Sequence, residues 1–235
     1  MLWYKYWLET RFLALFMVSY AMFPVALFAL TPRPINAPQG SVATAQGAVG
    51  FFAVYYSMIP VLLAGSGIKA QAGPRMTKGL YGSTYFTLSL PVSRFRLIAT
   101  RAGIGMLETV GIFAIAPCAV WIMFPPLRAH ITGSDLLLFW VTLFLCGSAI
   151  YFFGVLLSTI LEDSWRGFAS MFGVVFLQWL LSTRSLPPSI NIFRAMGASS
   201  PLFTHTLPWA SIGISLGTSA VLFMVAARVV QMREY

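Results

Sequence analysis

The sequence predicts an all-α membrane protein with six transmembrane helices. Three observations carry that prediction. Hydrophobic residues make up 58% of the 235-residue chain and charged residues 9%, with a mean hydropathy of +0.81. Soluble domains carry about 25% charged residues, so this chain lacks the means to cover itself with a water-facing surface. Six apolar runs approach the ~20 helical residues that cross a bilayer core, and the basic residues fall mostly between those runs.

The first eleven residues, MLWYKYWLETR, set Trp3, Tyr4, Tyr6 and Trp7 among Lys5, Glu9 and Arg11. Aromatic rings beside basic heads favour the headgroup layer. Trp3 and Trp7 share a helical face, so residues 1–11 read as an interfacial helix, with a frayed start of the first span as the alternative. Spans are expected at 12–30, 47–65, 102–124, 136–160, 167–182 and 207–227. The first has an apolar core longer than the ~7–15 residues of a signal peptide, its N-terminal region contains Glu9, and no clear A-x-A site follows it, so it reads as a retained span. The fifth is the shortest and is bounded by Arg166 and Arg184. Pro24, Pro60 and Pro117 each remove a backbone donor inside a span and are expected to kink it. With no internal repeat, residues 1–235 form a single membrane domain.

Orientation follows from Lys and Arg in the gaps. One set of alternating gaps holds Lys5, Arg11, Lys69, Arg75, Lys78, Arg94, Arg96, Arg101, Arg166, Arg228 and Arg233, while the other holds only Arg33, Arg128, Arg184 and Arg194. This bias puts both termini and the long third gap in the cytoplasm, in a cell (inner) membrane. The net charge of +9 is thus a topology signal, and no nucleic-acid partner is expected. The outer loops, TPRPINAP, FPPL and SLPPS, are too short for an extracellular domain.

Few groups converge for chemistry. The chain has no G-x-x-x-x-G-K-[ST], no H-E-x-x-H and no G-x-S-x-G. Cys118 and Cys146 lie inside apolar runs without metal-ligand or disulfide spacing and read as small packing residues. His130 and His205 read as isolated loop residues. Ser148 with His205 is the one pair open to an intramembrane serine protease, but Gly-Ser is also an ordinary close-packing pair in membrane helices. No catalytic residue and no metal site is therefore expected. Glu108 is the one acid clearly inside a span, and a charge there costs at least ~2.5–3.5 kcal/mol on insertion scales. It either lines a pathway or dimer seam or anchors a neighbouring helix by a hydrogen bond. Gln178 in the fifth span has the same two readings, the structural one favoured.

The third gap, 66–101, is the longest and most basic. GSGIKAQAGPRMTKG argues against a continuous helix, and GLYGSTYFTLSL fits a helical face (Tyr81, Tyr85, Leu88) as well as a strand (Phe86, Leu88, Leu90). Pro91 breaks the segment. Ser93 is placed to cap a helix running from Arg94 into the third span.

The string TYFTLSLPVSRFRLIATRAGIGMLE resembles the cytoplasmic loop and third-span start of ABC-2 type transporter permeases. The span count, the cytoplasmic termini, the N-terminal interfacial helix and the missing P-loop are similar as well. GPRMTKGLYGST is basic where that family often has an acidic cluster. The resemblance implies a homodimer or heterodimer of such chains served by two copies of a separate ABC ATP-binding subunit, which holds the ATP and Mg. It also implies a short coupling helix between spans two and three, with Thr84, Tyr85, Leu88, Pro91, Ser93, Arg94 and Arg96 in the contact with that subunit. Arg94 and Arg96 suit the phosphates of membrane lipids equally well. Export is implied by the resemblance. The many aromatic and methionine residues favour an amphipathic or lipid-like cargo. A stand-alone channel or facilitator, or a structural subunit of another membrane complex, is the alternative.

Overall fold

The computed structural model describes residues 2–30, 42–64, 93–123, 128, 130–161, 163–183, 187 and 190–232, and every regular element among them is helical. In chain order these are α1 (Leu2–Leu30), α2 (Val42–Leu63), α3 (Arg94–Phe113), α4 (Ile115–Met123), α5 (Gly133–Ile160), α6 (Asp163–Thr183), α7 (Ile192–Met196), α8 (Pro201–Thr204) and α9 (Trp209–Met232).

The exposed surface of this bundle is largely apolar. Phe12, Phe51, Trp165, Phe172 and Trp209 each expose two-thirds or more of their surface, which a water-soluble fold avoids in contiguous patches. Three stretches are long and apolar enough to cross a bilayer: Phe95–Ile122, Gly133–Ile160 and Trp209–Met232. Thr10–Ala26, Val49–Leu63 and Gly167–Ser182 are shorter apolar helices. The chain is a membrane protein with at least these three candidate spans.

Helix α1 corrects one expectation. Nothing in LETRFL breaks a helix, and residues 2–30 form one rod with no separate interfacial segment. At 1.5 Å per residue that rod is about 43 Å long, so it overshoots a ~30 Å hydrocarbon core or tilts within it. The prolines behave differently from one another. Helix continues through Pro24 and Pro60, whereas the third apolar run divides at Ala114, three residues before Pro117.

Pairwise contacts set the directions of the helices. Asp135 meets His205, Ser148 meets Ser219, and the rings of Phe152 and Phe223 lie 5.5 Å apart, so α5 and α9 run parallel. Tyr151 meets Ala102 and Trp140 meets Val110, so α3 runs against α5. One end of the bundle is therefore closed by Ala64, Ile98, Ala102, Val155, Ala226 and Val230. Towards the other end the core contains Ile131, Phe193, Met196, Leu202 and Ile212. Helices α2 and α5 meet closely at Gly154, where a Cβ would stand 2.8 Å from the Val61 carbonyl and 2.6 Å from the Ala64 methyl.

The connection after α6 is more than the short loop expected. Asn191 caps α7 by accepting from the Phe193 and Arg194 amides at 3.1 Å, and its amide donates to the Leu181 carbonyl at 3.2 Å. Pro201 opens α8, and Phe193, Met196 and Leu202 are buried.

Candidate functional site

The chemistry-bearing residues gather at the start of α3 and along the seams it makes. Ser93 is extended (φ −61°, ψ 139°), and its hydroxyl accepts from the Arg96 amide at 3.3 Å, which caps α3. Arg96 is exposed, and Arg94 is the first helical residue. Phe95 packs edge-on to Phe223 at 5.8 Å, and Ile98 and Ala102 are buried against the ends of α2, α5 and α9. The first turns of α3 are thus fastened to three other helices. Of the other residues expected at a coupling contact, Thr84, Tyr85, Leu88 and Pro91 lie outside the described residues, as does the question of helix or strand for 82–90.

Further along α3, polar groups are folded inward. Arg101 is buried. Tyr151 donates its hydroxyl to the Ala102 carbonyl at 2.9 Å, and Gly105 makes room for it. Glu108 accepts a hydrogen bond from the Thr10 hydroxyl of α1 on Oε1. Its Oε2 is buried without a hydrogen-bond partner among the described residues. The carboxyl therefore sits in the α1–α3 seam, bonded to a neighbouring helix. Gln178 is half-buried on α6, remote in sequence from this cluster.

Ser148 and His205 are kept apart. Ser148 lies thirteen residues beyond Asp135 on α5, roughly 20 Å at 1.5 Å per residue, and His205 contacts Asp135 itself. The Ser148 hydroxyl lies 2.8 Å from Ser219 Oγ and 2.7 Å from the Leu145 carbonyl. Ser215 donates towards the Leu145 and Cys146 carbonyls at 2.9 and 2.8 Å. These serines join α5 to α9 by interhelical hydrogen bonds, a common adhesive in membrane bundles. They form no nucleophile–base pair.

His205 is not the isolated loop residue expected. It adopts the left-handed conformation (φ 55°), and its Nδ1 lies 3.0 Å from Asp135 Oδ1. Asp135 also completes a capping box, because its carboxylate accepts from the Thr132 amide at 2.8 Å. TGSD read as an N-cap signature would have placed Asp135 there, while the His205 contact depends on a distant loop. Cys146 is buried as expected, but Cys118 is exposed and is no packing residue. It lines a groove between α4 and α5 that also contains Pro117, Trp121, Leu137 and Trp140.

Among the described residues, no three His, Cys, Asp or Glu side chains are grouped to hold a metal. No family model, curated protein or solved structure matches the chain.

Proposed function

We propose that this chain is the permease subunit of an ATP-driven ABC transporter of the ABC-2 type. In this reading it has six spans, and ATP and Mg are held by a separate ATP-binding subunit. Dimers of the chain export an amphipathic or lipid-like molecule and are driven through residues 84–93. The observation that carries the reading is the join between the string TLSLPVSRFRL and α3. Ser93, two residues after Pro91 in the sequence, caps a helix continuous to Phe113 and fastened at its start to α2, α5 and α9. A push on the Pro91 segment would then move a rigid element and its neighbours together. Coupling of this kind is a difference in contact energy between two states of an assembly, typically about 1–3 kcal/mol.

The helix directions support it further. The bundle end formed by Ala64, Ile98, Val155 and Val230 adjoins the gaps after α2, α5 and α9, which hold nine of the fifteen Lys and Arg residues. That is the end the charge bias assigns to the cytoplasm, where an ATP-binding partner would dock. The exposed aromatic residues on α6 and α9 suit an apolar cargo better than a sugar or an ion.

Purification from native membrane tests the proposal. The chain is expected to bring with it an ATP-binding subunit and to bind no ATP when stripped of it. Leu88→Ala and Pro91→Ala should leave assembly intact while transport and coupled ATP hydrolysis fall together. Unchanged transport in both variants would refute the coupling role, and a working chain without any ATPase would refute the permease reading.

A further inference from the structure

A second site lies on the lipid-facing surface, away from the start of α3. Helix α3 ends at Phe113, and the Ala114 amide reaches back to the Gly111 carbonyl at 3.2 Å, a tighter turn than an α-helix makes. Three residues on, Pro117 has no amide to donate to the Phe113 carbonyl. The chain resumes as α4, and the break leaves a groove of about 570 Å³ between α4 and α5. That volume falls within the ~300–1,000 Å³ of small-molecule sites. Trp140 projects from α5 to the groove, Leu137 and Ile122 are more than half exposed along it, and Cys118 is the one thiol in its wall.

One end of the groove carries a fixed cation. Arg128 donates from Nε to the Trp121 carbonyl at 2.8 Å and from Nη2 to the Ile122 carbonyl at 3.4 Å. Its guanidinium lies 5.8 Å from the centre of the Trp121 ring, within reach of a cation–π contact. These three contacts hold an exposed guanidinium over the last turn of α4. No acidic partner for Arg128 is present among the described residues. The acid nearest in sequence on α5, Asp135, is buried and engaged with Thr132 and His205.

We propose that this groove binds one acyl chain of an anionic phospholipid, with the lipid phosphate paired to Arg128. The occupant follows from what the walls offer. They present hydrocarbon along their length and a single oriented cation at the mouth, which matches a chain ending in a singly charged headgroup. The remaining guanidinium N–H groups suit a phosphate oxygen in geometry as well as in charge. A protein helix laid in the groove would meet no polar side chain to fix its register. The inference rests on the membrane reading alone, so it stands or falls independently of the transporter proposal.

Cys118 supplies the readout. The full chain is placed in nanodiscs of phosphatidylcholine, with or without one part in three of phosphatidylglycerol. The rate at which a bilayer-soluble maleimide alkylates Cys118 is then measured, with Cys118→Ser as the background. Phosphatidylglycerol is expected to slow the wild-type reaction about fivefold, the ratio expected for one basic side chain at an anionic surface. Arg128→Gln should abolish that slowing, and Arg128→Lys should restore part of it. Equal rates in the two lipids overturn the proposal, as does a slowing that persists in Arg128→Gln. A second measurement needs no variant: native mass spectrometry of the wild-type chain released from mixed discs. Preferential retention of one phosphatidylglycerol supports the site, and retention in proportion to the bulk lipid overturns it.

Discussion

The indole N–H of Trp140 on α5 donates to the backbone carbonyl of Val110 on α3 at 3.0 Å. That carbonyl is available because the Ala114 amide, which would reach it in a regular helix, bonds to Gly111 instead. A side chain from one span thus repairs a break in another. An unpaired carbonyl in hydrocarbon is expensive, which is why interruptions in membrane helices are tolerated where a neighbour supplies a donor.

Trp140→Phe keeps most of the ring and removes the donor. Interhelical hydrogen bonds in membrane proteins average about 0.6 kcal/mol and reach about 1.7 kcal/mol. The variant should lose stability in that range, read as a lower unfolding midpoint in detergent. An unchanged midpoint would mean that Val110 is satisfied in another way.

Gly105→Ala should be worse than its size suggests. The added methyl would collide with the Tyr151 hydroxyl, which is held at 2.9 Å from the Ala102 carbonyl in a buried site. Overpacking of this kind costs about 1–3 kcal/mol. Tyr151→Phe in the same chain removes the nearest clashing atom, so the double variant should be more stable than the sum of the singles predicts. Strict additivity in that cycle would separate the two residues.

Ser215 tests the α5–α9 seam. It is fully buried and faces two carbonyls of α5. Ser215→Ala should cost little, about 0.6 kcal/mol. Ser215→Leu must force the helices apart, at about 1–3 kcal/mol. Ser148→Ala and His205→Ala, combined in one chain, should retain whatever activity the wild type has. Loss of activity with the fold intact would revive a hydrolytic role for the pair.

Asp135 serves both the helix cap and His205, so its variants should fall in a definite order. Asp135→Ala removes the capping box and the His205 contact together. Loss of a cap costs about 0.5–2 kcal/mol. Asp135→Asn retains an acceptor for the Thr132 amide and should lose less. His205→Ala should lose least, because His205 is 56% exposed and such pairs are weak in water. Thermal midpoints that reverse this order would show that the His205 contact, not the cap, holds the loop over α5.

Much of the secondary structure is legible in the sequence because a helix satisfies its backbone locally. Ser93 illustrates this: the Pro91 break and the hydroxyl before Arg94 were enough to place the cap and the start of α3. Features made by contact between distant segments were not legible. The His205–Asp135 pair, the burial of α7 and α8, and the exposure of Cys118 all depend on which elements come to lie side by side. Pro117 marks the right neighbourhood for a break, but the donor that satisfies the freed Val110 carbonyl comes from Trp140 on another helix, which no local signal foretells.

By itself, the sequence determined that the chain is helical, lipid-embedded and biased in charge between its gaps, because apolar length and Lys/Arg distribution are properties of segments. Only the tertiary structure decided which faces meet. In hydrocarbon the outward side of a helix is as apolar as its inward side, so periodicity cannot tell them apart. The choice falls instead to small residues such as Gly105 and Gly154, which allow close approach, and to single polar groups such as Thr10, Trp140 and Ser215, whose bonds must close inside the bundle.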